Sequence, residues 1–211
     1  DVHFRGFKLG TLFTLAVDPS GFITFERPYW QFNTQAILLP SLRGTLWIEQ
    51  LRFEDAQFIN CATVAGCATF GQPTSSGGSD IYCGACSIDN GQLRIDRVSV
   101  TCTGCHFESV DAYPNVPLVS MGSGKFNWFG GFLLVGPNGA SAGVFLSDSN
   151  DAANSVANIV GANAFNPGKA IPFIQLAANT SINLNLAAVR IQGAGFSTMV
   201  GGYRSGTPNG A

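Results

Sequence analysis

Hydrophobic and polar residues alternate over many short stretches of this chain, a pattern typical of β-strands with one buried face. Residues 2–9 alternate clearly and form the first predicted strand. Further strands are predicted at residues 11–17, 22–26, 36–39, 45–53, 92–100, 126–135, 142–146, 171–176 and 182–191. The pattern therefore predicts a mainly β protein.

Turn-forming residues separate these stretches and suggest how the strands connect. Clusters rich in Gly, Pro, Asn, Asp and Ser lie at residues 72–80, 89–91, 136–139 and 166–168. Asp18-Pro19-Ser20-Gly21 lies between two predicted strands and favours a β-hairpin. We therefore expect one β-rich domain over residues 1–211, built as an antiparallel sandwich or barrel, with a β-solenoid as the alternative.

One segment has the spacing of a helix rather than of a strand. Ser147 or Ser149 can cap a helix start, and acidic residues next to it suit the positive end of the helix dipole. Apolar residues then recur at helical spacing until Gly161, which can end a helix: Ala152, Ala153, Val156, Ile159 and Val160. The sequence thus predicts one short α-helix over about residues 148–160.

Two segments resemble each other weakly. Residues 46–58 align with residues 184–196, and both contain Leu-x-(Ile/Leu)-x-x-(Leu/Val)-Arg-(Phe/Ile)-x-x-Ala-x-Phe. A third partial copy starts at Leu93. Fixed-period repeats would indicate a solenoid, but the starts are unevenly spaced. The similarity is therefore interpreted as that of strands sharing one buried face.

Six cysteines lie in a Cys-rich subregion at residues 61–105, and the rest of the chain has none. They form three near pairs: Cys61 with Cys67, Cys83 with Cys86, and Cys102 with Cys105. An even number of thiols at such spacings indicates disulfides in an oxidising compartment, although six cysteines allow 15 pairings. Together with a first residue other than Met, this favours an exported chain at the cell surface or outside the cell.

Two alternatives for the same cysteines involve cofactors, although the main interpretation requires none. Cys83, Cys86, Cys102 and Cys105 have the two-knuckle spacing of a tetrahedral zinc site. Cys102-Thr103-Gly104-Cys105-His106 has the Cys-x-x-Cys-His form of a c-type haem attachment site, in which His106 would bind the iron.

Composition excludes several classes of function. Only 11% of residues are charged, against about 25% in ordinary soluble domains, and the net charge is −2. No basic stripe suits nucleic acid, and no apolar run approaches the ~18 residues of a membrane-spanning helix. His3 and His106, the only two histidines, lie in no recognisable catalytic motif. The sequence predicts no enzyme.

A surface with little charge and many aromatic residues favours association with further copies. We expect a structural subunit of an extracellular filament, pilus-like or surface-layer assembly, held together by strand edges and apolar faces, with residues 2–9 joining a neighbour's sheet. The candidate contact residues are Val2, Phe4, Phe7, Leu9, Phe126, Trp128, Phe129 and Phe132. The alternative is a secreted glycan-binding or adhesin module that uses the aromatic residues, and a metal- or haem-binding protein is third.

Overall fold

The structure is a computed structural model, and it describes most of the sequence in separate segments. These are residues 2–7, 9–12, 20–31, 33, 35–39, 48–60, 68–70, 80–109, 117–136, 146–148, 155–167, 170–176, 182–193 and 196–201.

Within those segments the chain forms short strands and no helix. In chain order the strands are β1 His3–Arg5, β2 Leu9–Leu12, β3 Ser20–Glu26, β4 Tyr29–Gln31, β5 Gln35–Leu39, β6 Ile48–Glu54, β7 Gln57–Ile59, β8 Ala68–Phe70, β9 Asp80–Gly84, β10 Ser87–Asp89, β11 Leu93–Ile95 and β12 Val98–Thr103. They continue as β13 His106–Ser109, β14 Val119–Met121, β15 Gly124–Phe129, β16 Phe132–Val135, β17 Leu146–Asp148, β18 Ser155–Val160, β19 Asn163–Asn166, β20 Pro172–Gln175, β21 Ile182–Ala187, β22 Arg190–Gly193 and β23 Thr198–Gly201.

The strands form three sheets, and within each sheet neighbouring strands are three apart in chain order. Sheet A has the order β1-β4-β7-β10-β13-β16-β19-β22, sheet B the order β2-β5-β8-β11-β14-β17-β20-β23, and sheet C the order β21-β18-β15-β12-β9-β6-β3. The described pairings are parallel, for example β4 with β7 and β12 with β15. The chain is therefore a parallel β-solenoid, in which each coil adds one strand to each sheet. The solenoid alternative is confirmed, and the antiparallel sandwich or barrel is wrong.

Rows of like residues fill the interior, because in-register parallel strands place equivalent side chains directly above one another. The inward row of sheet A runs Phe4, Trp30, Phe58, Ile88, Phe107, Leu133, Ala164 and Ile191. Sheet C contributes two inward rows, which pass through Leu51 and Phe53 in β6 and through Phe126 and Trp128 in β15. The middle members of these rows are fully buried, so the core is a continuous column along the solenoid axis.

The predicted hairpin and helix are both wrong. β2 and β3 lie in different sheets, and Ser20 and Gly21 belong to β3 rather than to a turn. Asp148 ends β17, and Ser155–Val160 is the strand β18, in which buried and half-buried residues alternate. Val156 and Val160 face outward while Ala157 and Ile159 face the core, a period of two that the helical interpretation overlooked. Residues 149–154 lie outside the described residues.

Several of the long predicted strands each correspond to two shorter strands, which belong to different sheets. Residues 92–100 contain β11 and β12, residues 126–135 contain β15 and β16, and residues 182–191 contain β21 and part of β22. Residues with positive φ divide them, namely Arg97, the Gly130-Gly131 pair and Ala188. Residues 2–9 are divided in the same way at Gly6. Apolar alternation continues across these corners, so it does not reveal the bend.

Other predicted strands are confirmed with small changes in their bounds. β3, β5 and β6 cover the predicted strands at 22–26, 36–39 and 45–53 as far as the structure describes them, and β20 covers residues 172–175 of the strand predicted at 171–176. Of the stretches 11–17 and 142–146, residues 13–17 and 142–145 lie outside the described residues. In the described part of the chain, no helix has the length and apolarity to cross a membrane.

Candidate functional site: a buried cluster of four cysteines

A corner module recurs wherever the chain passes from sheet C to sheet A. Its central residue has a positive φ, at Arg27, Asp55, Ala85, Gly104, Gly130, Gly161 and Ala188. Two positions before this central residue lies the last residue of sheet C whose side chain faces the core. One position after it lies a second inward position, at the corner itself. In one pair of neighbouring coils, cysteine occupies both inward positions, which produces the two Cys-x-x-Cys motifs.

The register of the solenoid brings the two motifs together. Cys83 pairs directly with Cys102 across β9 and β12. Cys86 and Cys105 precede the paired residues Ser87 and His106, and the His106 amide donates to the Cys86 carbonyl at 2.8 Å. All four side chains are at most 2% exposed. The four thiols therefore form one cluster inside the core.

Each thiol contacts two others, so the cluster is arranged as two stacked pairs. Cys83 contacts Cys102 and Cys86, and Cys105 contacts the same two residues from the opposite corner. Cys86 Sγ lies 3.4 Å from the Phe53 carbonyl oxygen, and Cys105 Sγ lies 3.2 Å from the Cys83 carbonyl oxygen. In the sheet C row, Phe53 precedes Cys83, and Trp128 follows Cys102.

Mutual hydrogen bonding determines how the cluster ionises. The pKa of Cys105 is lowered because the thiols of Cys102 and Cys86 can donate to its sulfur. Hydrogen bonding to a neighbouring thiol raises the pKa of the other three, and burial raises it further, because a charged sulfur is poorly solvated in the core. A negative charge is therefore most favoured on Cys105, and burial keeps reagents away from that sulfur.

The structure has Cys83, Cys86, Cys102 and Cys105 as free thiols, so the disulfides expected from their spacing stay a prediction. The zinc and haem alternatives are not matched by the present side-chain positions either. The sulfurs of a tetrahedral zinc site lie about 3.8 Å apart, yet no three of the four sulfurs lie within 4.8 Å of one another. For haem, the two attaching thiols and the axial histidine must face the same space. Cys105 is fully buried, whereas the adjacent His106 faces the outside of sheet A with 39% of its side chain exposed.

Disulfides in this cluster can form within a coil or between coils. We predict the within-coil pairs Cys83–Cys86 and Cys102–Cys105, because each spans a single corner of the chain. Cys61 and Cys67 lie outside the described residues, and their predicted bridge stays a prediction. The intact protein, purified without reductant, should therefore weigh six hydrogens less than its reduced form, one pair for each bridge among the six cysteines.

The pairing itself can be tested with a single variant. In Cys83→Ala, within-coil pairing leaves Cys86 as the free thiol, whereas between-coil pairing leaves Cys102 free. Alkylation after unfolding, followed by peptide mass mapping, identifies the labelled cysteine, and we expect Cys86. Full alkylation of the cysteines in the unmutated protein before any reduction would contradict the disulfides altogether.

The predicted assembly residues divide between surface and core. Val2 and Phe7 are more than half exposed, Phe129 and Phe132 are 42% and 37% exposed, and Phe4 is half-buried against Trp30. Leu9 lies in the edge strand β2. Phe126 and Trp128 are completely buried in the core rows, so they cannot contact another copy without unfolding.

The outward rows contain polar residues that sequence reasoning did not select. In sheet C, one row places Thr24, Arg52, Tyr82, Thr101, Asn127, Asn158 and Asn185 side by side. Asn158 donates to Asn127 at 2.7 Å, and Asn127 donates to Thr101 at 3.2 Å. The Arg52 guanidinium lies 4.6 Å from the centre of the Tyr82 ring. Only the register between coils brings these residues together.

The fold defines the class of this protein as a parallel β-solenoid with a buried cysteine cluster. Comparisons of the chain with protein-family models, with curated proteins and with solved structures return no match.

Proposed function

We propose that this solenoid is a structural subunit of an extracellular or cell-surface assembly, and that copies associate end to end through their terminal coils. One observation carries the proposal. The apolar inward rows are fully buried in the middle of the solenoid and only half-buried at both described ends. At the first-coil end these residues are Phe4, Ile23 and Phe25, and at the last-coil end they are Leu184, Leu186 and Ile191.

Each terminal coil also has backbone groups that a further coil can pair with. Among the described strands, β1 pairs with β4 and β21 pairs with β18, so each is the outermost strand of its sheet. Such an edge is a template for another strand. Because the two ends of the solenoid differ, their contact is head to tail, and a contact of this kind can repeat into a filament.

Exposed hydrophobic side chains and the low charge support the same contact. Val2 and Phe7 flank β1 at 57% and 53% exposure, and Met199 in β23 is 39% exposed. Burying such side chains between copies is favourable by about 25 cal/mol for each Å² of apolar surface. With 11 basic and 13 acidic residues, two copies have little net charge to repel each other.

Deletion of residues 1–9 tests this proposal. We expect the unaltered chain to sediment as a series of elongated oligomers at high concentration, and the shortened chain to sediment as a single species. A chain that stays a single particle at high concentration in plain buffer would contradict end-to-end assembly. Circular dichroism should show that the shortened chain keeps its β-structure, because β4 loses β1 but still pairs with β7, and the later strands of sheet A keep their neighbours.

A double substitution separates the loss of the contact from the loss of a strand. Val2→Lys with Phe7→Lys leaves β1 in place but adds two charges that association would bury at a cost. The matched control, Gln57→Lys with Thr103→Lys, adds the same charges at exposed outward positions of inner coils. We expect the first variant to sediment as a single species and the control to form the same oligomers as the unaltered chain.

A second candidate function is glycan binding, which an open depression beside sheet A favours. It has a volume of about 270 Å³ and is lined by His3, Arg27, Pro28, Tyr29, Asp55 and Gln57. An aromatic ring beside carboxylate, amide and guanidinium groups suits a sugar, which stacks on one face and hydrogen-bonds at its edges. A single sedimenting species that binds in a glycan screen, and loses that binding in Tyr29→Ala, would favour this candidate over assembly.

A further inference from the structure

Asp89, His106 and Glu108 meet on the outer face of sheet A, where β10 and β13 lie side by side. Asp89 pairs directly with Glu108, and His106 lies two residues before Glu108, so its side chain is on the same face. One potential ligand atom from each of the three residues lies within 4.8 Å of the other two. We propose that these residues form an open three-ligand site for a divalent transition-metal ion of the zinc type.

The imidazole geometry fits a shared metal ion better than it fits direct hydrogen bonds. His106 Nε2 is buried and has no hydrogen-bond partner, although Glu108 Oε2 lies only 3.6 Å away. Asp89 Oδ1 lies 3.9 Å from His106 Nδ1. Both distances exceed the 2.7–3.2 Å of a hydrogen bond. A metal ion binds only one of the two ring nitrogens, so the comparison with zinc applies to Nε2. Its 3.6 Å separation from Glu108 Oε2 is close to the ~3.4 Å between two ligands of one tetrahedral zinc ion with ~2.1 Å bonds.

The paired carboxylates give a second, independent reason to expect a cation. Like charges placed directly opposite each other on neighbouring strands destabilise a sheet. The two side chains are only 19% and 24% exposed, so water screens their repulsion poorly. A divalent ion between the carboxylates would neutralise both.

The surroundings resemble those of a metal site. Asp89 is oriented by Ser87, whose hydroxyl donates to Asp89 Oδ1 at 2.7 Å. Outer hydrogen bonds of this kind hold metal ligands in position. On the neighbouring strands, the outward residues beside the cluster are Ile59, Phe132 and Leu134. These apolar neighbours lower the local dielectric, which strengthens the attraction between a cation and the carboxylates.

A histidine nitrogen and two carboxylate oxygens suit zinc and similar transition-metal ions. Three protein ligands leave at least one coordination position open toward solvent, as in zinc sites that bind a further ligand. The site uses none of the four cysteines and lies on a lateral face away from the terminal coils. It therefore does not depend on the proposed assembly.

Cobalt(II) titration of the intact, metal-free protein tests the proposal, because cobalt reports its ligands by absorption. We expect one cobalt ion per chain with visible bands, and without the near-ultraviolet charge-transfer absorption that thiolate ligands produce. Zinc should displace the cobalt and raise the melting temperature by several degrees, because it binds the folded chain preferentially. A thiolate spectrum, or no stoichiometric binding, would overturn the proposal.

Variants of the ligands and of a matched histidine complete the test. His106→Gln and the double variant Asp89→Asn with Glu108→Gln should each bind at least about tenfold more weakly. His3→Gln removes the other histidine of the chain and should bind normally. Melting of the metal-free variants controls for folding, and the double variant should melt no lower than the unaltered protein because it removes like-charge repulsion. Unchanged affinity in the ligand variants would overturn the site.

Discussion

Replacing Phe53 by alanine should lower the free energy of unfolding by about 3–5 kcal/mol, the range for a large aromatic residue removed from a packed core. Phe53 is completely buried and contacts four other rings. The distances between ring centres are 5.4 Å to Phe25, 6.2 Å to Trp30, 5.9 Å to Phe58 and 5.9 Å to Phe70. These rings belong to all three sheets, so a cavity at this position weakens the packing of each sheet against the core.

Chemical denaturation followed by tryptophan fluorescence measures this change, because Trp30 lies beside Phe53. Phe129→Ala is the matched control, since Phe129 faces outward from the same sheet and is 42% exposed. It should change the free energy of unfolding by about 0.5 kcal/mol or less. Equal losses for the two variants would show that the inward row of sheet C is not the core.

Gly131→Ala should lower the free energy of unfolding by nearly as much, because of the backbone conformation at this position. Gly131 has a φ of +99°, and a Cβ atom built there would overlap the Cys105 carbonyl oxygen. That oxygen accepts a hydrogen bond from the Phe132 amide at 3.1 Å, so it cannot move away without breaking a link between coils. We expect a loss of about 3–5 kcal/mol, combining backbone strain with a broken coil contact.

The adjacent glycine provides the control for that variant. Gly130 has a φ of +66°, and nothing lies within 4 Å of a Cβ built there. Gly130→Ala should therefore cost only the 1–2 kcal/mol of a left-handed alanine. Thermal melting of both variants measures the difference. If Gly130→Ala melts as low as Gly131→Ala, the close approach to Cys105 is not the cause.

The corner module explains why the solenoid was difficult to recognise in the sequence. Four of its seven positive-φ positions are Arg27, Asp55, Ala85 and Ala188 rather than glycine, so no repeated glycine marks the bend. The coil length also varies: the chain takes 19 residues from Cys83 to its partner Cys102, but 31 from Trp128 to its partner Ile159. A fixed period, the usual signature of repeat proteins, is therefore absent.

The similarity between residues 46–58 and 184–196 came from this module but was aligned in the wrong register. In the solenoid, Phe53 and Leu186 occupy the same inward row. The sequence alignment instead placed Leu51 over Val189, which belong to different positions of the module. Both alignments match apolar residues with apolar residues, because inward residues recur every second position on either side of the corner. The pattern of apolar residues alone does not distinguish the two alignments.

The candidate sites were predictable to different degrees. The Cys-x-x-Cys spacing places two thiols inside one corner, but the disulfides expected from that spacing stay a prediction. The site of Asp89, His106 and Glu108 gave no local signal, because Asp89 and His106 are 17 positions apart and meet only through the register of β10 and β13. Asp89 was instead assigned to a turn cluster.

The amino-acid sequence by itself determined that this protein is built of short strands, where many of them lie, and that its cysteines come in pairs. These properties are local, because alternation and turn chemistry act over a few residues. Only the tertiary structure decided that the strands run parallel and which residues meet across coils. The physical reason is that a corner with a positive φ and a hairpin turn use the same residue types, while the packing of successive coils on one another determines which strands become neighbours.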